Sequence, residues 1–110
     1  MGLALGGALA NRRRFAATEA ERRRSIEAAD RDLAAAHAED NGWDRSRLEA
    51  AARRVLEQRH PGAAPDDLVL VQVIDRPGTD GDEAIFQAGP AASGQRIVLR
   101  RRGDDWVDAG

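Results

Sequence analysis

The sequence predicts an α+β fold: a long N-terminal helix, then a second helix packed on a three- to four-stranded antiparallel meander. Three observations predict it. Residues 14–39 contain neither Gly nor Pro and are dominated by Ala, Glu and Arg, all good helix formers. Residues 44–59 place apolar side chains at helical spacing. From Pro65 onward the apolar period changes from helical to extended.

In the first helix, Phe15, Ile26 and Leu33 share one face, with Ala29 and Ala36 between them and Arg22 interrupting the stripe. Glu19 with Arg23 and Glu27 with Arg31 stand at the favourable i,i+4 spacing. So thin a stripe stabilises a long helix only if it lies along a neighbour or pairs with a second helix. Self-association or a protein partner through residues 15–36 is therefore expected.

Asp40-Asn41-Gly42 ends this helix, Gly being common just past a helix C-cap. Asp44 can cap the next one, and Trp43 and Leu48 flank it at the spacing of a hydrophobic staple. Leu48, Ala51, Ala52, Val55 and Leu56 then form its buried face, and His60-Pro61-Gly62 stops it. The segment Leu68–Asp75 is apolar on both faces, as in a strand covered on both sides. Arg76 to Asp82 reads as a loop, Glu83–Ala88 as a second strand, Gln95–Arg102 as a third and Trp106-Val107 as a short fourth. Links this short favour antiparallel neighbours, giving a sheet over 66–108.

With 110 residues the chain has room for one domain, here 14–109, behind a flexible tail 1–13. All 17 basic residues are Arg and the formal net charge is −2, so the positive excess typical of a nucleic-acid binder is missing. There is no Cys, which excludes disulfides, thiolate metal sites and Cys nucleophiles and fits a cytoplasmic protein. Residues 1–10 are uncharged and precede Arg12 to Arg14, the reverse of a signal peptide. As a helix they would span about 15 Å, half of a bilayer core. They are read as tail; the stub of a truncated membrane anchor is the alternative.

No catalytic centre emerges from the spacing. His37 and His60 lie on different helices without metal-ligand spacing, so no metal and no cofactor is expected. Ser25, Ser46 and Ser93 lack a nucleophile-elbow context. The acidic stretch around Asp75, Asp80, Asp82 and Glu83 misses the calcium-loop pattern and reads as a solvated hairpin loop. Gly6-Gly7 lacks the strand and spacing of a phosphate cradle.

The third strand offers the one candidate binding surface. Alternation sends Arg96, Val98, Arg100 and Arg102 one way, and Ile97 and Leu99 the other. If the apolar side is the core, Arg96, Arg100 and Arg102 stand on the open side of the sheet, able to bind phosphates or an acidic partner. They equally suit edge protection. The leading expectation is a non-catalytic protein-interaction or assembly module. The alternatives are a nucleic-acid or phosphoanion binder using those arginines, and a small ligand-binding or enzymatic α+β roll.

Overall fold

The computed structural model describes residues 18–62, 68–76, 81–89 and 94–109. Among the described residues, two helices, α1 (Glu19–Glu39) and α2 (Arg45–Arg59), precede four strands: β1 (Leu68–Ile74), β2 (Glu83–Ala88), β3 (Gln95–Arg102) and β4 (Asp105–Asp108). The strands form one antiparallel sheet in the order β1-β2-β3-β4, the expected meander. α1 packs on β1, and α2 on β3 and β4.

The first helix begins at Glu19, not at residue 14. Thr18 is extended (φ −123°), and its hydroxyl accepts the backbone N–H of Glu21 while the Glu21 carboxylate accepts the Thr18 N–H. This reciprocal capping box satisfies two donors that no helical carbonyl can reach. Phe15, and with it the start of the expected stripe, lies outside the described residues. Arg22 bonds Glu19 at 3.1 Å, three residues back rather than four.

Ala29, Leu33 and Ala36 of α1 are buried against α2 and the sheet. Of the stripe that carried the expected association, Ala29, Leu33 and Ala36 are thus packed inside the chain, while Ile26 is half-buried. The second helix matches its reading: Asp44 accepts the Ser46 N–H at 3.0 Å, and Trp43, Leu48, Ala51, Ala52, Val55 and Leu56 are all buried. A two-residue turn at Gly103-Asp104 joins β3 to β4, and Gly103 takes a positive φ of 64° that a side chain would resist.

Every residue of β2 is buried. Ala84, Phe86 and Ala88 join Ile97, Leu99 and Trp106 in the main core beneath the helices. On the opposite face Val71, Ile85 and Val98 form a second buried cluster, with Ile26, Val69, Ile74 and Ala109 packed against it. That corrects the expected open side of the sheet: the face bearing Arg96, Arg100 and Arg102 is apolar and covered along its middle. In β1 a bulge between Leu70 and Gln72 shifts the register against β2.

Candidate functional site

Alternation along β3 puts Arg101 on the main-core side with Ile97 and Leu99, and its side chain is only 4% exposed. A buried guanidinium needs acceptors for its fork of N–H groups. Its Nη1 donates to Asp40 Oδ2 at 2.5 Å, and its Nη2 to Asp40 Oδ1 at 3.0 Å, a two-point pair. Nε donates to the Gly103 carbonyl at 2.8 Å, and Nη1 also reaches Asp82 Oδ2 at 3.4 Å. The guanidinium lies against Gly42, where a Cβ would stand 2.0 Å from Nη2. Gly42 is therefore required for close approach; its φ is not positive, unlike that of a C-cap glycine.

This arrangement ties the α1–α2 turn to the β3–β4 hairpin. Gly42 N–H donates to Asp40 Oδ1 at 2.9 Å, and the indole Nε1 of Trp106 donates to the Gly42 carbonyl at 3.1 Å. Side-chain hydrogen bonding from Arg101, then the Gly42 amide, holds the Asp40 carboxyl down at about 2. The loop between β1 and β2 joins the same cluster. Asp82, 1% exposed, accepts the Arg76 N–H at 2.9 Å, and Glu83 is 4% exposed, so these two are not solvated as expected, while Asp75 is exposed. Asp80 lies outside the described residues.

Arg96, Arg100 and Arg102 are all exposed and share the second face of β3. The register sets Arg100 opposite Glu83 on β2 and Arg102 opposite Asp105 on β4. Carboxylates thus stand across the strand from two of the three arginines. His37 and His60 are exposed; His37 Nδ1 lies 2.9 Å from the Trp43 carbonyl, so it is the protonated ring nitrogen in that bond. Ser25 and Ser46 lie in helices, and Ser93 is outside the described residues.

Two grooves flank α1. One, about 280 Å³, faces the start of α2 and is lined by Leu33, Ala34, His37 and Trp43 with Asp30, Asp44 and Arg45. Its polar groups are committed: Arg45 bonds Asp30 at 2.6 Å and Asp44 caps α2. The other, about 330 Å³, lies on the opposite flank of α1 against β1. Ala35, Ala36 and Val73 give its apolar lining, and Asp32, Glu39 and Asp75 its carboxylates. Although Asp75 is exposed as a residue, desolvation of its carboxyl, then the charges of Asp82 and Glu39, push it above the usual carboxylate range.

Among the described residues, no cluster of three or more His, Asp or Glu side chains is disposed to hold a metal ion. Nor, among them, is any helix long and apolar enough to cross a membrane. Compared with known protein families, curated proteins and solved structures, the chain matches none.

Arg101 and the acidic groove were both missed in the sequence. For Arg101 a signal existed, since the alternation that exposes Arg100 and Arg102 must bury Arg101. For the groove there was none: Asp32, Glu39 and Asp75 meet only once α1 is laid along β1.

Proposed function

We propose that this chain is a non-catalytic protein-interaction module that takes its partner by strand addition at the outer edge of β1. The observation that carries this reading is the contrast between the two edges of the sheet. β4 is four residues long, begins and ends with Asp, and has Asp108 bound by both Arg59 nitrogens Nε and Nη2. Such an edge is short and charged, as protected edges are. β1 is seven residues long with no charge, and Leu68, Val69, Val73 and Ile74 are only half-buried. Among the described residues no strand pairs with its outer side. A long uncharged edge offers backbone hydrogen bonds and alternating side-chain positions to an extended peptide. The bulge at Val71 blunts this edge, and such a feature is also used to re-aim side chains beside binding sites.

The test is amide hydrogen exchange on the whole chain with acetylated heptapeptides in which Thr alternates with Arg, Gln or Glu. At least one should slow exchange of the outward-pointing β1 amides, and its backbone N-methylated counterpart should not. Failure of all three to protect β1 would overturn the proposal.

A phosphoanion-binding role for Arg96, Arg100 and Arg102 is the second reading, supported by the exposure of all three on one strand face. It is less favoured because Glu83 and Asp105 stand across the strand from Arg100 and Arg102. If it holds, the Arg96→Gln/Arg100→Gln/Arg102→Gln variant should bind duplex DNA and single-stranded RNA more weakly. Its salt dependence should flatten by about one unit of slope per lost phosphate contact. Identical salt titrations for variant and wild type would remove this reading.

A further inference from the structure

The acidic groove beside β1 narrows the class of partner. We propose that the peptide added to the β1 edge is basic, and that its alternate Arg or Lys side chains enter the groove between α1 and β1. This rests on strand addition at β1 as the mode of binding.

Two features meet at this place. The first is the position of the groove. Asp30, Ala34 and His37 mark the flank of α1 that faces α2. Asp32, Ala35 and Glu39 mark the other flank, which runs along the edge strand. A strand paired to β1 would lie about 4.8 Å outside it, with same-face side chains about 6.8 Å apart. Side chains on the helix side of that strand project towards the seam where the groove lies.

The second feature is the lining. The apolar lining of Ala35, Ala36 and Val73 suits the aliphatic stem of Arg or Lys, and the carboxylates of Asp32, Glu39 and Asp75 suit the charged head. Arg101 is engaged with Asp40 and Asp82, and Arg76 Nη1 donates to the Gly81 carbonyl at 2.6 Å. Desolvation first, and then the negative charges of Asp82 and Glu39, raise the Asp75 carboxyl. A cation in the groove would offset the negative charge that Asp32, Glu39 and Asp75 bring together there. Such a lining repels phosphates, so a polynucleotide is not the occupant here.

The experiment uses the full chain, the same three heptapeptides and fluorescence anisotropy, with β1 amide exchange as the second readout. The Arg peptide should bind most tightly and the Glu peptide most weakly. Asp32 and Glu39 are exposed helix residues, so Asp32→Asn/Glu39→Gln should fold normally. It should weaken the Arg peptide by about fivefold to tenfold while leaving the Gln peptide unchanged. Equal binding of Arg and Gln peptides, with β1 still protected, would overturn the basic specificity and leave strand addition standing. Undiminished binding of the N-methylated Arg peptide would overturn it by revealing charge attraction without strand pairing. No protection by any peptide would remove both readings. A concentration-dependent dimer in sedimentation, protecting the same amides, would put a second copy on the edge and also overturn the inference.

Discussion

Arg101→Met is expected to lower stability by about 3 kcal/mol, near the lower end for breaking a buried ion pair from one side. Methionine fills much of the same volume, so the loss is mainly electrostatic. Asp82, 1% exposed, would keep the Arg76 N–H but lose its only cationic partner among the described hydrogen bonds. The Gly103 and Asp40 contacts would go with it, releasing the hairpin from the interhelical turn. In thermal unfolding the change corresponds to a fall in Tm of about 15 °C. Arg101→Lys should recover little, because an ammonium cannot pair Asp40 at two points while also reaching Gly103.

Acid gives a second readout of the same contact. Asp40 titrates at about 2 in the folded chain, below its ordinary value of 3.8. A carboxylate depressed by folding contributes stability above its unfolded pKa and loses it as the pH falls through the folded one. The gap in stability between wild type and Arg101→Met should therefore narrow between pH 4 and pH 2. Urea titrations at pH 7, 4, 3 and 2 measure it. A gap of the same size at every pH would show that Asp40 is not the main partner of Arg101.

The strands were the most legible part of the fold. Gly and Pro punctuate this half of the chain, and the expected bounds Glu83–Ala88 and Gln95–Arg102 are those observed. The second helix was equally clear, because its cap and staple are local to Trp43, Asp44 and Leu48. The start of α1 was misplaced because helix propensity carries smoothly through Thr18, while the Thr18–Glu21 capping box that sets the boundary was overlooked.

Long-range pairing was not legible. Asp40 is 61 residues from Arg101 and Asp82 is 19, and only the packed register brings the three together. Lying in a run of three arginines in an all-Arg chain, Arg101 gave no compositional hint that it differs from Arg100 and Arg102. The second face of β3 was misjudged for a related reason. Val98 among arginines reads as one apolar residue in a solvated row. Val71 and Ile85 make it part of a buried cluster only through the pairing of β1, β2 and β3.

Trp43→Ala is expected to cost about 3–5 kcal/mol, as large aromatic truncations in cores do. The indole is 1% exposed and lies with its ring centroid 4.8 Å from that of Trp106, tilted at 53°. Such a pair is worth about 0.5–1.5 kcal/mol beyond the area it buries. The truncation would open a cavity between α1, α2 and β4, where Leu33, Leu48 and Trp106 belong to the same core. It would also loosen the segment whose neighbour, the Gly42 carbonyl, accepts the Trp106 indole N–H. Asp44→Ala provides the comparison. It removes one cap bond at the adjacent position and should cost about 1 kcal/mol. Urea unfolding of both variants, with a double-mutant cycle adding Trp106→Phe, separates the ring–ring coupling from the cavity. The coupling should be positive and smaller than the whole effect, because most of the loss is volume. If Trp43→Ala cost no more than Asp44→Ala, the interhelical turn would be held by its polar clasp alone and the tryptophan pair would not be the hydrophobic anchor of the fold.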